Sequence, residues 1–356
     1  MERFDSAGFK FVVKFFGQFV LLYFMTSFLS GFIFGKIYED KNYISGASQE
    51  NLATVINSEI LAVKKPPPIV LGFVGDIMLD RGVEDVILSI GVGDFKFIFN
   101  RAEKELSDIN LLSGNLEGPV SDKGRDLGSL FSFRMNPDAT EGLLYAGFDV
   151  LSIANNHVGD WGVDAIVDSV NRLKSSGIET VGAGLSQGDA YRPVIVKVEG
   201  IKVAFLSFTE SAGIYRGLNV ALATEERVRE NVSSIKNANL ADFIVVYFHF
   251  GDEYEKAPNE RQKKLAHTAV DSGAHLVVGS HPHVTQSIEK YKESYIFYSL
   301  GNFVFDQYFS DETMLGWLLK VFIEKDGEVS NLELCDVSIN SLFQPVILLC
   351  HSVFNF

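Results

Sequence analysis

Cysteine is nearly absent from this chain: Cys335 and Cys350 are the only two in 356 residues, and neither lies in a C-x-x-C pattern. That scarcity argues against a disulfide framework and against a thiolate-built structural metal site. It leaves the pair to be read as small buried hydrophobes. Basic residues are also short, 31 Lys and Arg against 46 Asp and Glu, for a formal charge of −15. Residues 1–67 are close to neutral, so the excess acid lies beyond them. With no basic stripe, such a surface repels polyphosphate backbones and argues against nucleic acid as a partner. Internal repeats and low-complexity tracts are missing too. What is present is 47% apolar and 12% aromatic content, enough for a globular body with a sizeable core.

A long apolar run, FFGQFVLLYFMTSFLSGFIF, occupies residues 15–34 without a charge. As a helix it spans ~30 Å, about one bilayer core. Arg3, Lys10 and Lys14 precede it, and Lys36, Glu39, Asp40 and Lys41 follow. This modest positive-inside bias predicts a cytoplasmic N-terminus and a body outside the cytoplasm. The rival reading, a cleaved signal peptide, lacks an A-x-A-like site, and the run exceeds a usual signal core. The expected organisation is therefore a single-pass cell-membrane protein with a tail and transmembrane anchor at 1–35. A linker at 36–68 follows, ending in the stiff Pro66-Pro67-Pro68, then a body at 69–340 and a C-terminal segment at 341–356.

Within the body, apolar β-rich runs repeatedly end in polar clusters. Residues 69–74 run into Gly75-Asp76, residues 109–113 into Gly114-Asn115-Leu116-Glu117, and residues 149–153 into Ala154-Asn155-Asn156-His157. Residues 241–248 end at His249, and residues 274–278 at Gly279-Ser280-His281-Pro282-His283. Helical spacing falls between them, at 82–90, 95–106, 138–146, 161–175, 224–238 and 258–272. The pattern predicts an α/β domain with βαβ units early and antiparallel strands later. Open α/β sheets build their sites at the C-terminal ends of such strands. Gly182 and Gly184 complete no dinucleotide fingerprint and are assigned to a turn.

Taken singly, each polar residue has a structural reading: His157 capping a helix, His249 as a core histidine, Asp76 and Asn156 closing turns. Their joint occurrence at successive strand ends favours a site. Carboxylate, amide oxygen and imidazole together suit borderline-hard divalent ions such as manganese, iron or zinc, and two such ions can activate water against a phosphoester.

The ordered segments FVGDIMLDRGV, GNLEGPVS, SIANNHVGDWG, VVYFHFGDEY, GSHPHVTQ and YSLGNFVFDQ resemble the CapA family of poly-gamma-glutamate capsule biosynthesis proteins, within the calcineurin-like metallophosphoesterase superfamily. The resemblance covers about residues 69–340. It implies a metallophosphoesterase-like β-sandwich flanked by helices, here preceded by one transmembrane helix. It also implies Asp76, Asn156, His249, His281 and His283 as ligands of two divalent ions, and His157 as general acid. Two positions depart from the superfamily pattern: Met78 stands where a D-x-H motif has histidine, and Asn115 where the second motif has aspartate. Asn115 stays among the candidate ligands, with Glu117 as a replacement bridging carboxylate. Arg81 and Arg134 are candidates for binding a substrate phosphate or carboxylate. His267, His275 and His351 are given no role, and Asp80 and Asp160 are read as supporting or capping groups. The expected partners are the membrane, polyglutamate synthase subunits or an anionic polymer. A scaffold without catalysis and a hydrolase of another substrate remain as alternatives.

Overall fold

The strands that end in polar clusters lie side by side in two sheets of a computed structural model, which describes residues 67–211, 213, 219–325 and 327–353. In chain order the strands are β1 (Ile69–Ile77), β2 (Leu111–Leu116), β3 (Phe148–Ser152), β4 (Glu179–Val181), β5 (Val194–Val198), β6 (Ile201–Thr209) and β7 (Phe243–His249). They continue with β8 (Leu276–Ser280), β9 (Ile288–Tyr291), β10 (Ser294–Phe297), β11 (Asn302–Val304), β12 (Leu315–Ile323), β13 (Val329–Ile339) and β14 (Pro345–Ser352). The helices are α1 (Arg81–Ser89), α2 (Glu103–Leu106), α3 (Ala139–Ala146), α4 (Val163–Ser175), α5 (Gln187–Ala190), α6 (Glu225–Asn237) and α7 (Glu260–Ser272). The residues expected to form one helix over 95–106 divide into a 3-10 turn, Phe95–Phe99, and the short α2.

One sheet runs β14-β13-β12-β1-β2-β3-β4, with β11 also paired to β1, and the other runs β5-β6-β7-β8-β10-β9. Alternation explains how they stack. Along β7, Phe243, Val245 and Tyr247 enter a core shared with Phe73 of β1 and Leu319 of β12. Ile244, Val246 and Phe248 of the same strand turn outward to meet Val228 and Val232 of α6 and Leu265 of α7. On the other side, Val74 and Ile77 pack with Val83 and Ile87 of α1 and Leu143 of α3. Each such buried side chain contributes roughly 1.5–3 kcal/mol. The result is an α/β sandwich of two sheets with helices outside, as expected from the sequence.

The expected membrane helix lies outside the described residues. Among the described residues no helix is long and apolar enough to cross a membrane. Residues 345–352, placed by the sequence in a segment beyond the body, form the edge strand β14 of the larger sheet.

The cysteines correct the sequence reading. β13 and β14 bring Cys335 opposite Cys350, and the two are joined in a disulfide. Only Cys335 is buried, while Cys350 is exposed. Fifteen residues of separation gave no hint, because the pairing depends on a hairpin whose second strand does not read as one. Cross-linking a loop of this length stabilises by about 3 kcal/mol. Replacing both cysteines by serine should lower the melting temperature by about 5–10 °C in a thermal scan. An unchanged scan would mean that the bond does not form in the protein.

Candidate metal centre

Parallel pairing brings the polar strand ends together. Asp76 lies opposite Asn115 across β1 and β2, and opposite Asn302 across β1 and β11. His249 lies opposite Ser280 across β7 and β8. Two glycines permit the close approach. A Cβ on Gly75 would lie 1.8 Å from the carbonyl oxygen of Gly301, and one on Gly279 2.0 Å from that of Tyr298. These are the glycines that precede Asp76 and Ser280-His281.

At the centre is Glu117. Its side chain is fully buried, and neither carboxylate oxygen has a hydrogen-bond partner. Its Oε1 is 3.7 Å from His157 Nε2, 3.9 Å from His249 Nε2 and 3.8 Å from His283 Nε2. Those distances are too long for hydrogen bonds. Those to His249 and His283 fit ligands around an ion, because bonds of about 2.0–2.2 Å allow ligand atoms up to about 4 Å apart. Asp76, Glu117 and His283 each offer an atom to one such cluster, and Glu253, His281 and His283 to another.

The surrounding bonds fix the ring orientations. Asn302 Oδ1 accepts from His283 Nδ1 at 3.0 Å, leaving His283 Nε2 toward Glu117. Asn302 is itself held, donating to Gln307 Oε1 at 3.0 Å and to the Thr313 carbonyl at 2.9 Å. His249 Nε2 meets Asn156 Oδ1 at 2.8 Å, and His249 Nδ1 lies 3.2 Å from Ser280 Oγ. Asp76 Oδ2 accepts from the His281 backbone N–H at 3.1 Å.

Asn115 differs from its expected role. Its amide nitrogen donates to Asp76 Oδ1 at 2.7 Å, and its oxygen faces the Asn155 amide and the Ser152 hydroxyl. A donor aimed at the carboxylate orients Asp76 and offers no lone pair to a metal. Met78 is fully buried, and its sulfur accepts from the Asp80 backbone N–H.

Burial sets the charges. It holds His249 well below the usual imidazole range, with His281 adding to the effect. It also brings His281 down to about 4, helped by His283. Burial works against charge on His283 as well, but Glu117 and the bond to Asp76 outweigh it and raise that group to about 9. Burial raises Glu117 to about 7 against the pull of His283.

His157 Nδ1 lies 2.7 Å from Asp160 Oδ2, an oxygen that also accepts from the Phe133 backbone N–H. The Phe133 ring packs 4.0 Å from the His157 ring, centroid to centroid. Arg81 pairs with Asp306 at 2.8 Å and lies over Phe131 and Phe133. Arg134 lies 3.6 Å over the Trp161 ring. Both candidate substrate arginines are thus tied to structural partners, and only Arg81 adjoins the ring beside His157. His267 pairs with Glu289 and stacks on Tyr291, while His275 accepts from the Ile244 N–H, so both are structural. Asn302 and Glu253 were missed as site residues. Asn302 lies in a GNF that follows a strand just as GNLE does, and Glu253 stands in a run of charges.

The chain is a two-sheet α/β domain that gathers at its strand ends carboxylates and imidazoles able to hold a metal ion. The chain belongs to the family described as bacterial capsule synthesis protein PGA_cap, which matches residues 70–307. It is 36% identical over 258 residues to the capsule biosynthesis protein CapA of Bacillus anthracis, covering 66% of this chain and 59% of that one. It is 36% identical over 265 residues to the PGA biosynthesis protein CapA of Bacillus subtilis strain 168, covering 72% of this chain and 68% of that one. Among solved structures it is similar to a novel phosphatase from Mycoplasma pneumoniae. That likeness has 12% identity and a TM-score of 0.40, over 80% of this chain and 92% of the other.

Proposed function

We propose that this chain is a membrane-anchored, extracytoplasmic protein of poly-gamma-glutamate capsule or envelope-polymer assembly, carrying a metal-dependent hydrolase site of phosphoesterase type. One observation carries the site: a fully buried Glu117 carboxylate without hydrogen bonds, faced by three imidazole nitrogens. An isolated buried carboxylate costs several kcal/mol, and a cation held by Glu117 with His249 and His283 would remove that cost. The donor set suits manganese, iron or zinc, and two ions when bound would polarise a phosphoryl oxygen and activate water.

The chain's own groups would do the rest. Asp76, Glu117, Asn156, His249, His281 and His283 would hold the ions, with Asn115 and Asn302 orienting Asp76 and His283. Asp160 accepts from His157 Nδ1 and fixes the ring, so that Nε2 would be the atom that passes a proton to the leaving oxygen. His157 is 12% exposed at its side chain, enough to be reached from outside.

The positive flank of the apolar run and the Cys335–Cys350 disulfide both support an extracytoplasmic body, since such bonds persist in oxidising compartments. Synthase subunits or the anionic polymer are the proposed partners. An acidic surface repels polyglutamate unless cations bridge the two. The inward amide of Asn115 and the non-ligating Met78 favour a second reading, a scaffold without turnover. Elemental analysis separates the two. Wild type should carry about two equivalents of metal, lost in a His281→Ala, His283→Ala double variant of unchanged circular dichroism. A folded wild type that takes up no added metal would establish the scaffold reading instead.

A further inference from the structure

We propose that Glu253 is the outer ligand of a second cation position that shares the histidine loop with the buried position at Glu117. The proposal rests on reading the cluster as a metal centre, and it concerns a residue outside the strand-end pattern.

Two donors expected from the superfamily pattern are missing. Met78 turns its sulfur to the Asp80 backbone, and Asn115 turns its amide nitrogen to Asp76. Glu117 restores one carboxylate from inside, which leaves the solvent side short of a ligand. Glu253 stands there. One of its carboxylate oxygens lies within 4.8 Å of ring nitrogens of both His281 and His283. His281 Nδ1 is buried with no hydrogen-bond partner, an orphan that an ion would satisfy.

The backbone holds this arrangement in place. Glu253 lies on the turn after β7, and the N–H of the next residue, Tyr254, donates to the Pro282 carbonyl at 2.8 Å. The acidic turn is thereby fastened to the loop carrying both histidines. Tyr254, His281 and His283 all have left-handed backbones, with φ of 65°, 98° and 58°. Such conformations cost a non-glycine residue of order 1–3 kcal/mol and persist where a site requires them. Here they direct side chains from two loops toward one point.

Burial separates the two positions. Asp76 and Glu117 are fully buried, whereas Glu253 is exposed. The outer ion therefore keeps water on one side, binds more weakly and exchanges faster than the inner one.

The test is a manganese titration by calorimetry on the full-length chain in detergent, stripped with EDTA. Wild type should show two steps. Glu253→Gln should keep the tighter step and weaken the other at least about tenfold, a loss at the low end even for groups that only support ligands. Glu255→Gln, an exposed neighbour outside the cluster, should match wild type. A Glu253→Gln curve that superimposes on wild type, or that loses both steps while circular dichroism is unchanged, overturns the assignment of Glu253. A wild type that takes up no manganese overturns the metal reading itself, and the outer site with it.

Discussion

Glu117→Gln should raise the melting temperature of the metal-free chain at pH 8.5 and abolish the further rise that metal gives wild type. In the fold Glu117 titrates at about 7, against 4.5 as its ordinary value. Because the folded value is raised, its contribution to stability is complete below about pH 4.5 and is lost as pH rises through 7. Above that, the ionised carboxylate costs roughly 3 kcal/mol at about 1.4 kcal/mol per pH unit. His283, raised to about 9, returns part of this at pH 8.5, since its own contribution is not fully lost until pH passes 9. A neutral amide of the same shape therefore gains a net of about 1–3 kcal/mol, or roughly 2–8 °C for a chain of this size. Metal acts in the opposite sense: at a thousand times its Kd an ion stabilises wild type by about 4 kcal/mol. Differential scanning fluorimetry with and without manganese reads both effects. A variant that melts no higher than metal-free wild type, or that still rises with manganese, would falsify this account of Glu117.

The affinity for metal should climb steeply with pH and then level off. At pH 7 His283 carries a proton that must leave before its nitrogen can bind, and below pH 7 Glu117 carries one as well. His281 and His249 are held low by burial and release none in this range. Each displaced proton makes the association constant rise about tenfold per pH unit. Affinity should therefore gain about a hundredfold between pH 7 and 9, rise more steeply below 7, and flatten above 9. Calorimetry in buffers of different ionisation enthalpy would count the protons directly. An affinity that is flat over this range would place the ion away from Glu117 and His283.

Much of this centre was legible because parallel strands end on the same side of a sheet. Runs closing in GD, GNLE and NNH therefore share one sheet edge and His249 and GSHPH another, and the stacking of the two sheets brings the edges together. Which atom each residue turns inward was not legible. Asn115 stands where a ligand was expected, yet points its nitrogen at Asp76, because Asn155 and Ser152 occupy its oxygen. Asn302 sits on β11, a strand of three residues too short to show alternation. Glu253 is one acid in an exposed charged stretch, and only the fold brings it to His281. The disulfide was hidden for a similar reason. β14 presents Leu348 and Leu349 to solvent, so its hydrophobic pattern does not announce a strand beside β13.

The place of β1 also bears on the order in which the molecule is made. It carries Asp76, yet one flank is closed by β12, with Ile69 opposite Ile323, and its end is completed by β11. A ribosome therefore delivers this strand, and β2 on its other flank, long before β11 and β12 exist. Until then it is an open edge whose closure waits on a very long loop, the kind of pairing that slows folding and exposes chains to aggregation. The proposed metal centre draws on Asp76 near the start of the body and on His249, His281 and His283 far beyond it, so a nascent chain lacking its final third holds only part of the donor set.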